Sequence, residues 1–295
     1  MNPVLALARK IFDRYKKMKL ARLGNEITWQ RMPAGFEMKV DPAQWLDQRM
    51  LFGVYEPWLR VLIRGVVQAG EGCLDIGAHK GYFTLSMAQQ TGSQGVVHAF
   101  DADPRVFAVL QENVARNGFD WVHCHALALG EEAGSIRYSL TNKMGNSSRF
   151  APPLVREDLR EEIDVPMRPL DEVMETQGAF EAETPFSFIK LDAEGSEPYI
   201  MRGMTRTLDI FKPILFMEFN FHALEMAGTT AEDFAASLRG QGYELYRVEW
   251  DRDFLLRGRL TLIPLAWDFT RKDTVDVAVV HQDSPYAGRL RRWIA

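Results

Sequence analysis

The chain has 295 residues, enough to bury the core of one large α/β domain with appendages. At 46% hydrophobic and 25% charged it has the composition of an ordinary globular protein, and its formal charge of −5 excludes a surface built for non-specific nucleic-acid binding. No apolar run reaches the ~20 residues that span a bilayer, and MNPVLALARK lacks a charged region ahead of its short apolar one, so a cytoplasmic location is expected.

The first 23 residues carry seven basic side chains (Arg9, Lys10, Arg14, Lys16, Lys17, Lys19, Arg22) against Asp13 alone. Val4, Leu7, Ala8, Ile11, Tyr15 and Met18 recur at helical spacing, which predicts a basic amphipathic helix. Two destinations fit it: the surface of an anionic membrane, or its own domain or that of a sister subunit in a homo-oligomer. Residues 27–40 read as a hairpin around Pro33-Ala34-Gly35, and 56–67 as a helix. The expected organisation is an extension over 1–50 and a catalytic domain over 51–295.

From Gly72 short apolar runs at 73–76, 96–100 and 121–127 alternate with helical segments near 82–90 and 104–117. Asp103 and Pro104 give the second helix a cap and a first turn. Such alternation means βαβ units and a parallel sheet. Strands are expected at 135–140 and 163–167, with a polar loop over 141–153 between them. The sheet resumes at 186–192, followed by a helix over 196–211, a strand at 214–219, a helix near 230–240 and strands at 243–248, 260–265 and 275–280. The two cysteines, Cys73 and Cys124, fall in apolar strands as buried small hydrophobes. His123-Cys124-His125 lacks a second cluster with ligand spacing, so no structural metal is expected there.

The sharpest local signal is CLDIGAHKGYFTL, 73–85, where a buried strand turns through two glycines into a helix. One strand later Asp101 stands at a strand end, where an acid accepts hydrogen bonds from the hydroxyls of an adenosine ribose. A dinucleotide pyrophosphate requires G-x-G-x-x-G, and the second glycine is replaced by His79. S-Adenosylmethionine carries no phosphate, keeps the need for a ribose acid, and offers a cationic amine that suits Asp75. The cofactor-binding set expected on these grounds is Asp75, Gly77, Ala78, His79, Gly81, Tyr82, Phe83, Asp101, Ala126 and Asp192.

LDIGAHKGYFT, AFDADP and IKLDAEGSE together resemble the FkbM-type methyltransferases, whose pattern is close to LDxGANxGxxT, AFEPxP and IKxDxEGxE. The resemblance covers roughly residues 50–250, and His79, Asp101 and Ala102 depart from the usual Asn, Glu and Pro. It implies a Rossmann-like class I methyltransferase sheet, mostly parallel with an antiparallel late strand. It also implies an S-adenosylmethionine-dependent O-methyltransferase acting on a sugar hydroxyl, within a glycan, glycolipid or other small-molecule acceptor. The competing readings are a nicotinamide-dependent oxidoreductase and a non-catalytic module that keeps the fold.

The third motif ends a buried strand in Asp192, Glu194 and Glu197, and charges there require a ligand, a cation or water. Glu197 precedes Pro198 at a helix start, where an acid complements the dipole, and reads as structural. A further strand end supplies Glu218, Asn220 and His222. The catalytic candidates are therefore Asp192, Glu194, Glu218 and His222, with Asp192 or His222 as the base and Glu194 orienting the hydroxyl. A divalent ion on Asp192, Glu194 and Glu218 is the rival mechanism and is not the expected one.

Overall fold

The central strands are buried on both faces, and that decides the architecture. β3 (Gly72–Ile76) and β9 (Phe186–Leu191) are buried at every position. A strand with no exposed face must be covered on both sides, as the strands of parallel sheets are. The computed structural model describes residues 3–141, 159–252, 258–266 and 274–295; the expected 141–153 loop lies, beyond Thr141, outside the described residues.

In chain order the first elements are α1 (Pro3–Leu23), β1 (Thr28–Arg31), β2 (Glu37–Val40), α2 (Trp45–Leu51) and α3 (Pro57–Val66). After β3 come α4 (Tyr82–Thr91), β4 (Val96–Phe100), α5 (Pro104–Arg116), β5 (Val122–His125), β6 (Ala128–Leu129), β7 (Gly134–Thr141), β8 (Leu159–Arg168) and α6 (Leu170–Thr176). After β9 come α7 (Glu197–Arg202), α8 (Thr205–Phe211), β10 (Ile214–Asn220), α9 (Phe221–Met226), α10 (Ala231–Gly240), β11 (Tyr243–Arg252), β12 (Gly258–Pro264) and β13 (Thr274–His281). The helix expected over 196–211 is interrupted at Gly203, where a Cβ would run into the Gly130 carbonyl.

The main sheet has eight strands in the order β12-β11-β13-β10-β9-β3-β4-β5. β5, β4, β3, β9 and β10 are parallel; β13 enters antiparallel between β10 and β11, and β12 closes the edge antiparallel to β11. Period-2 alternation splits the core into two layers. Cys73, Phe188 and Phe216 face α3, α4 and α5, while Leu74, Ile189 and Leu215 face α6 to α10. β6, β8 and β7 form a separate three-stranded sheet.

The β1–β2 hairpin packs Met32, Phe36 and Met38 into the first layer. Its outer edge is tied down by Asn113 of α5 and by Asn117, which caps the end of that helix. Asn113 Oδ1 accepts from Lys39 N at 2.8 Å, and Asn117 Oδ1 accepts from Glu37 N at 2.9 Å.

The chain order runs outward from β3 to β5 and then returns to β9 on the opposite side of β3. The carboxyl ends of β3 and β9 therefore flank a point where strand order reverses, and open α/β sheets bind ligands there.

Candidate functional site

Three motif segments meet at that point. The Asp192 amide donates to the Ile76 carbonyl at 3.1 Å, and the Gly77 amide to the Phe100 carbonyl at 3.0 Å, so the ends of β3, β4 and β9 are stitched together. Gly77 has φ +75, and any Cβ there would strike the Asp192 carbonyl, so only glycine fits.

The loop after β3 turns through His79, itself left-handed at φ +52. Its amide donates to Asp101 Oδ2 at 2.7 Å, while Oδ1 accepts from the Asp103 amide at 2.9 Å. Asp101 is half-buried, and burial pushes its carboxyl up to about 7 against the pull of those two amides. The same loop sends Lys80 inward, where Nζ meets both Asp47 oxygens of α2 at 2.8 and 2.9 Å with both side chains buried.

The loop after β9 is folded by Glu197. Its carboxylate accepts from the Ala193 amide at 2.8 Å and the Gly195 amide at 3.0 Å. Burial raises it to about 7. That clamp holds Glu194 at φ +50, and a Cβ on Gly195 (φ +94) would strike the Ala223 carbonyl. Asn220, capping α9 through its oxygen, donates Nδ2 to Glu194 Oε2 at 3.2 Å.

Between the loops lies a pocket of about 1080 Å³ counting its open mouth. The expected residues Gly77, Ala78, His79, Tyr82, Phe83, Asp101, Asp192 and Glu194 line it. Leu127, Leu129 and Ile136 give it an apolar wall.

Other expected residues are placed elsewhere. Asp75 is fully buried beneath the pocket, accepting from Thr84 Oγ1 at 2.5 Å with Lys190 Nζ 3.6 Å away, so its carboxylate does not reach the wall. Gly81 caps α4 against Leu110. Ala126 is exposed, and its neighbour Leu127 takes the wall position. His222 lies on the exposed side of α9 and does not line the pocket.

Lys190 lies at the centre of the charges. Its buried ammonium donates to the Gly77 carbonyl at 2.9 Å and pairs with Asp192 at 3.2 Å. Burial works to lower its pKa, but Asp192, Asp75 and Glu56 outweigh it and the net shift is upward. Asp192, Glu194 and Glu218 each bring one oxygen to within 4.8 Å of the others. Burial first and Asp192 second raise Glu194 to about 8, and the same causes with Glu194 raise Glu218 to about 9.

Sequence reasoning missed the pocket contribution of Leu46, Met50, Tyr55, Ile136 and Tyr138, and the charges of Glu56 and Asp276. Glu56 sits left-handed (φ 33) ahead of Pro57, and burial with Asp192 raises it to about 8. Asp276 is the register partner of Glu218 across β10 and β13. The Glu-Pro step at 56–57 and an acid inside the apolar run 275–280 were the available signals.

A family model described as the methyltransferase FkbM domain matches residues 75–245. Among curated proteins, Methyltransferase 1 of Beauveria bassiana is 28% identical over 143 residues, which cover 44% of this chain and 57% of that relative. The match thus spans little more than half of the relative's length. Among solved structures, methyltransferase FkbM from Methylobacillus flagellatus KT aligns at 16% identity and a TM-score of 0.41, covering 80% of this chain and 54% of that one. An O-methyltransferase from Bacillus cereus, in complex with SAH, aligns at 14% identity and a TM-score of 0.40, covering 76% and 78%.

Proposed function

The chain belongs to the FkbM methyltransferase family, and from that premise we propose that it transfers the methyl group of S-adenosylmethionine to a hydroxyl oxygen of a sugar acceptor, in a glycan, glycolipid or related small molecule. The observation that carries this reading is the meeting of the Asp101 carboxyl and the Asp192–Glu194 pair on the wall of one pocket at the strand-order reversal.

The residues present fit the donor. Asp101 keeps acceptor capacity beyond its two amide contacts for a pair of ribose hydroxyls. Val106, Leu127, Leu129 and Ile136 offer apolar surface for a base, and Asp192 offers an acceptor to an amine. When bound, the donor supplies an electrophilic methyl group on a sulfonium.

The chain's own residues do the rest. Asp192 is pinned by Lys190 and suits orientation of a bound group, whereas Glu194 is raised to about 8 and lines the same wall. The base role moves from the sequence-level choice of Asp192 or His222 to Glu194, because a base titrating near the working pH takes a proton best. With Glu56, Glu218 and Asp276 nearby, the site offers carboxyl donors and carboxylate acceptors together, which suits a polyhydroxyl acceptor. The Lys190 ammonium supplies a cation beside Asp192, so this reading requires no metal; activity that survives a chelator is the expected result, and its loss supports a divalent ion on Asp192, Glu194 and Glu218. The residues over 51–295 are proposed as the catalytic domain and 1–50 as its extension.

The test is a methyl-donor assay over a panel of sugars and glycolipids, read by mass shift, alongside calorimetric titration of donor. Tight NAD binding with no S-adenosylmethionine binding would overturn the reading.

A further inference from the structure

α1 has two apolar sides, and only one is used. Phe12, Leu20 and Leu23 pack on the core, with the Phe12 and Tyr15 rings meeting Phe52 edge-on at 6.2 and 6.0 Å. Leu7, Ile11, Tyr15 and Met18 follow one another at intervals of three and four residues and form a second stripe, exposed by 60, 61, 52 and 51%, with Tyr15 at its border with the packed side. Exposed Lys10, Arg14, Lys17 and Arg22 lie along it, and the helix holds seven basic residues and one acid in a chain whose formal charge is −5. No described helix is long and apolar enough to cross a membrane, so a helix of this kind lies on a surface rather than through it.

We propose that the exposed face of α1 docks the protein on an anionic lipid surface, its apolar stripe entering the headgroup region and its basic side chains meeting acidic headgroups. Charge complementarity selects this occupant. A second copy pairing through α1 would bring two strongly basic helices together. A phosphate backbone would satisfy the charges and leave Leu7, Ile11 and Met18 in water. α2, whose C-terminal cap Phe52 seats α1, also exposes Trp45, a residue suited to the headgroup level, and turns Leu46 and Met50 to the pocket. Surface docking therefore brings the pocket within one short helix of the bilayer.

The experiment is flotation of the full chain with phosphatidylcholine vesicles, with and without phosphatidylserine, over a salt series. Binding is expected only with the acidic lipid, weakening as salt rises, and lost in the double variant Ile11→Glu, Met18→Glu. Lys17→Gln should weaken it by about fivefold, the worth of one basic side chain near such a surface. All these side chains are exposed, so thermal unfolding of the variants should match the parent. Binding without acidic lipid, binding unchanged in the double variant, binding to duplex DNA in place of vesicles, or a dimer abolished by the same two substitutions would each overturn the proposal.

Discussion

Glu194 is a non-glycine residue held in left-handed backbone, and the strain is sustained by the Glu197 clamp beneath it. Glu194→Gln should lower turnover by ~10²–10⁴-fold while donor affinity changes little. Because a base acts only when deprotonated, kcat/KM of the parent should rise with pH through a midpoint near 8 and level off above it, and the variant should lose that limb. A pH–rate profile of both proteins checks this. Glu197→Gln replaces one acceptor oxygen with an NH2 group that cannot serve both amides. Turnover should fall while the pH limb of Glu194 persists, which marks a positioning role rather than a chemical one. Asp101→Ala removes both the proposed ribose acceptor and the tie to the His79 amide, and calorimetry should show donor binding weaker by roughly 1.5–3 kcal/mol.

Elements are joined to the site by buried polar groups, and these set how the fold responds to mutation and acid. The Lys80–Asp47 pair fastens α2 to the loop after β3. Asp47→Ala leaves a buried ammonium unpaired, and denaturant unfolding should register a loss of about 3–5 kcal/mol; adding Lys80→Met should recover most of it. β4 and β5 carry a second buried polar feature. His98 Nδ1 lies 3.1 Å from His125 Nε2, and the His98 ring also stacks on His123. Burial, then the neighbouring imidazoles, lower His98 to about 3; burial and then His123 lower His125 to about 4. A histidine whose folded pKa is depressed contributes stability above its ordinary 6.5 and loses it as pH falls toward the folded value. For buried His98 the loss should approach about 1.4 kcal/mol per pH unit below 6.5. Unfolding midpoints from pH 7 to 4 should show that slope, reduced in His98→Phe.

At the scale of the whole molecule, what was legible in the sequence is what short range encodes. Gly77, Gly81 and Gly195 mark left-handed turns at fixed offsets from strand ends, and the acids at 192, 194 and 197 follow from the same grammar. Strand–helix alternation carried the parallel sheet, because strands buried on both faces leave no other reading. Illegible were the walls brought from afar. Leu46 and Met50 reach the pocket from the N-terminal side, and Ile136 and Tyr138 from the three-stranded sheet, through contacts that no local periodicity announces. The depth of Asp75 was likewise hidden, since nothing in LDIG shows that Thr84 and Lys190 close over it. α2 has a consequence of a different kind. Its Leu46 and Met50 wall the pocket, and Phe52, the cap that ends it, seats α1. Occupancy of the pocket and occupancy of the α1 surface thus act on one shared element, and thermodynamic reciprocity binds them: whatever factor a ligand inside applies to the affinity of a partner outside, the partner returns to the ligand.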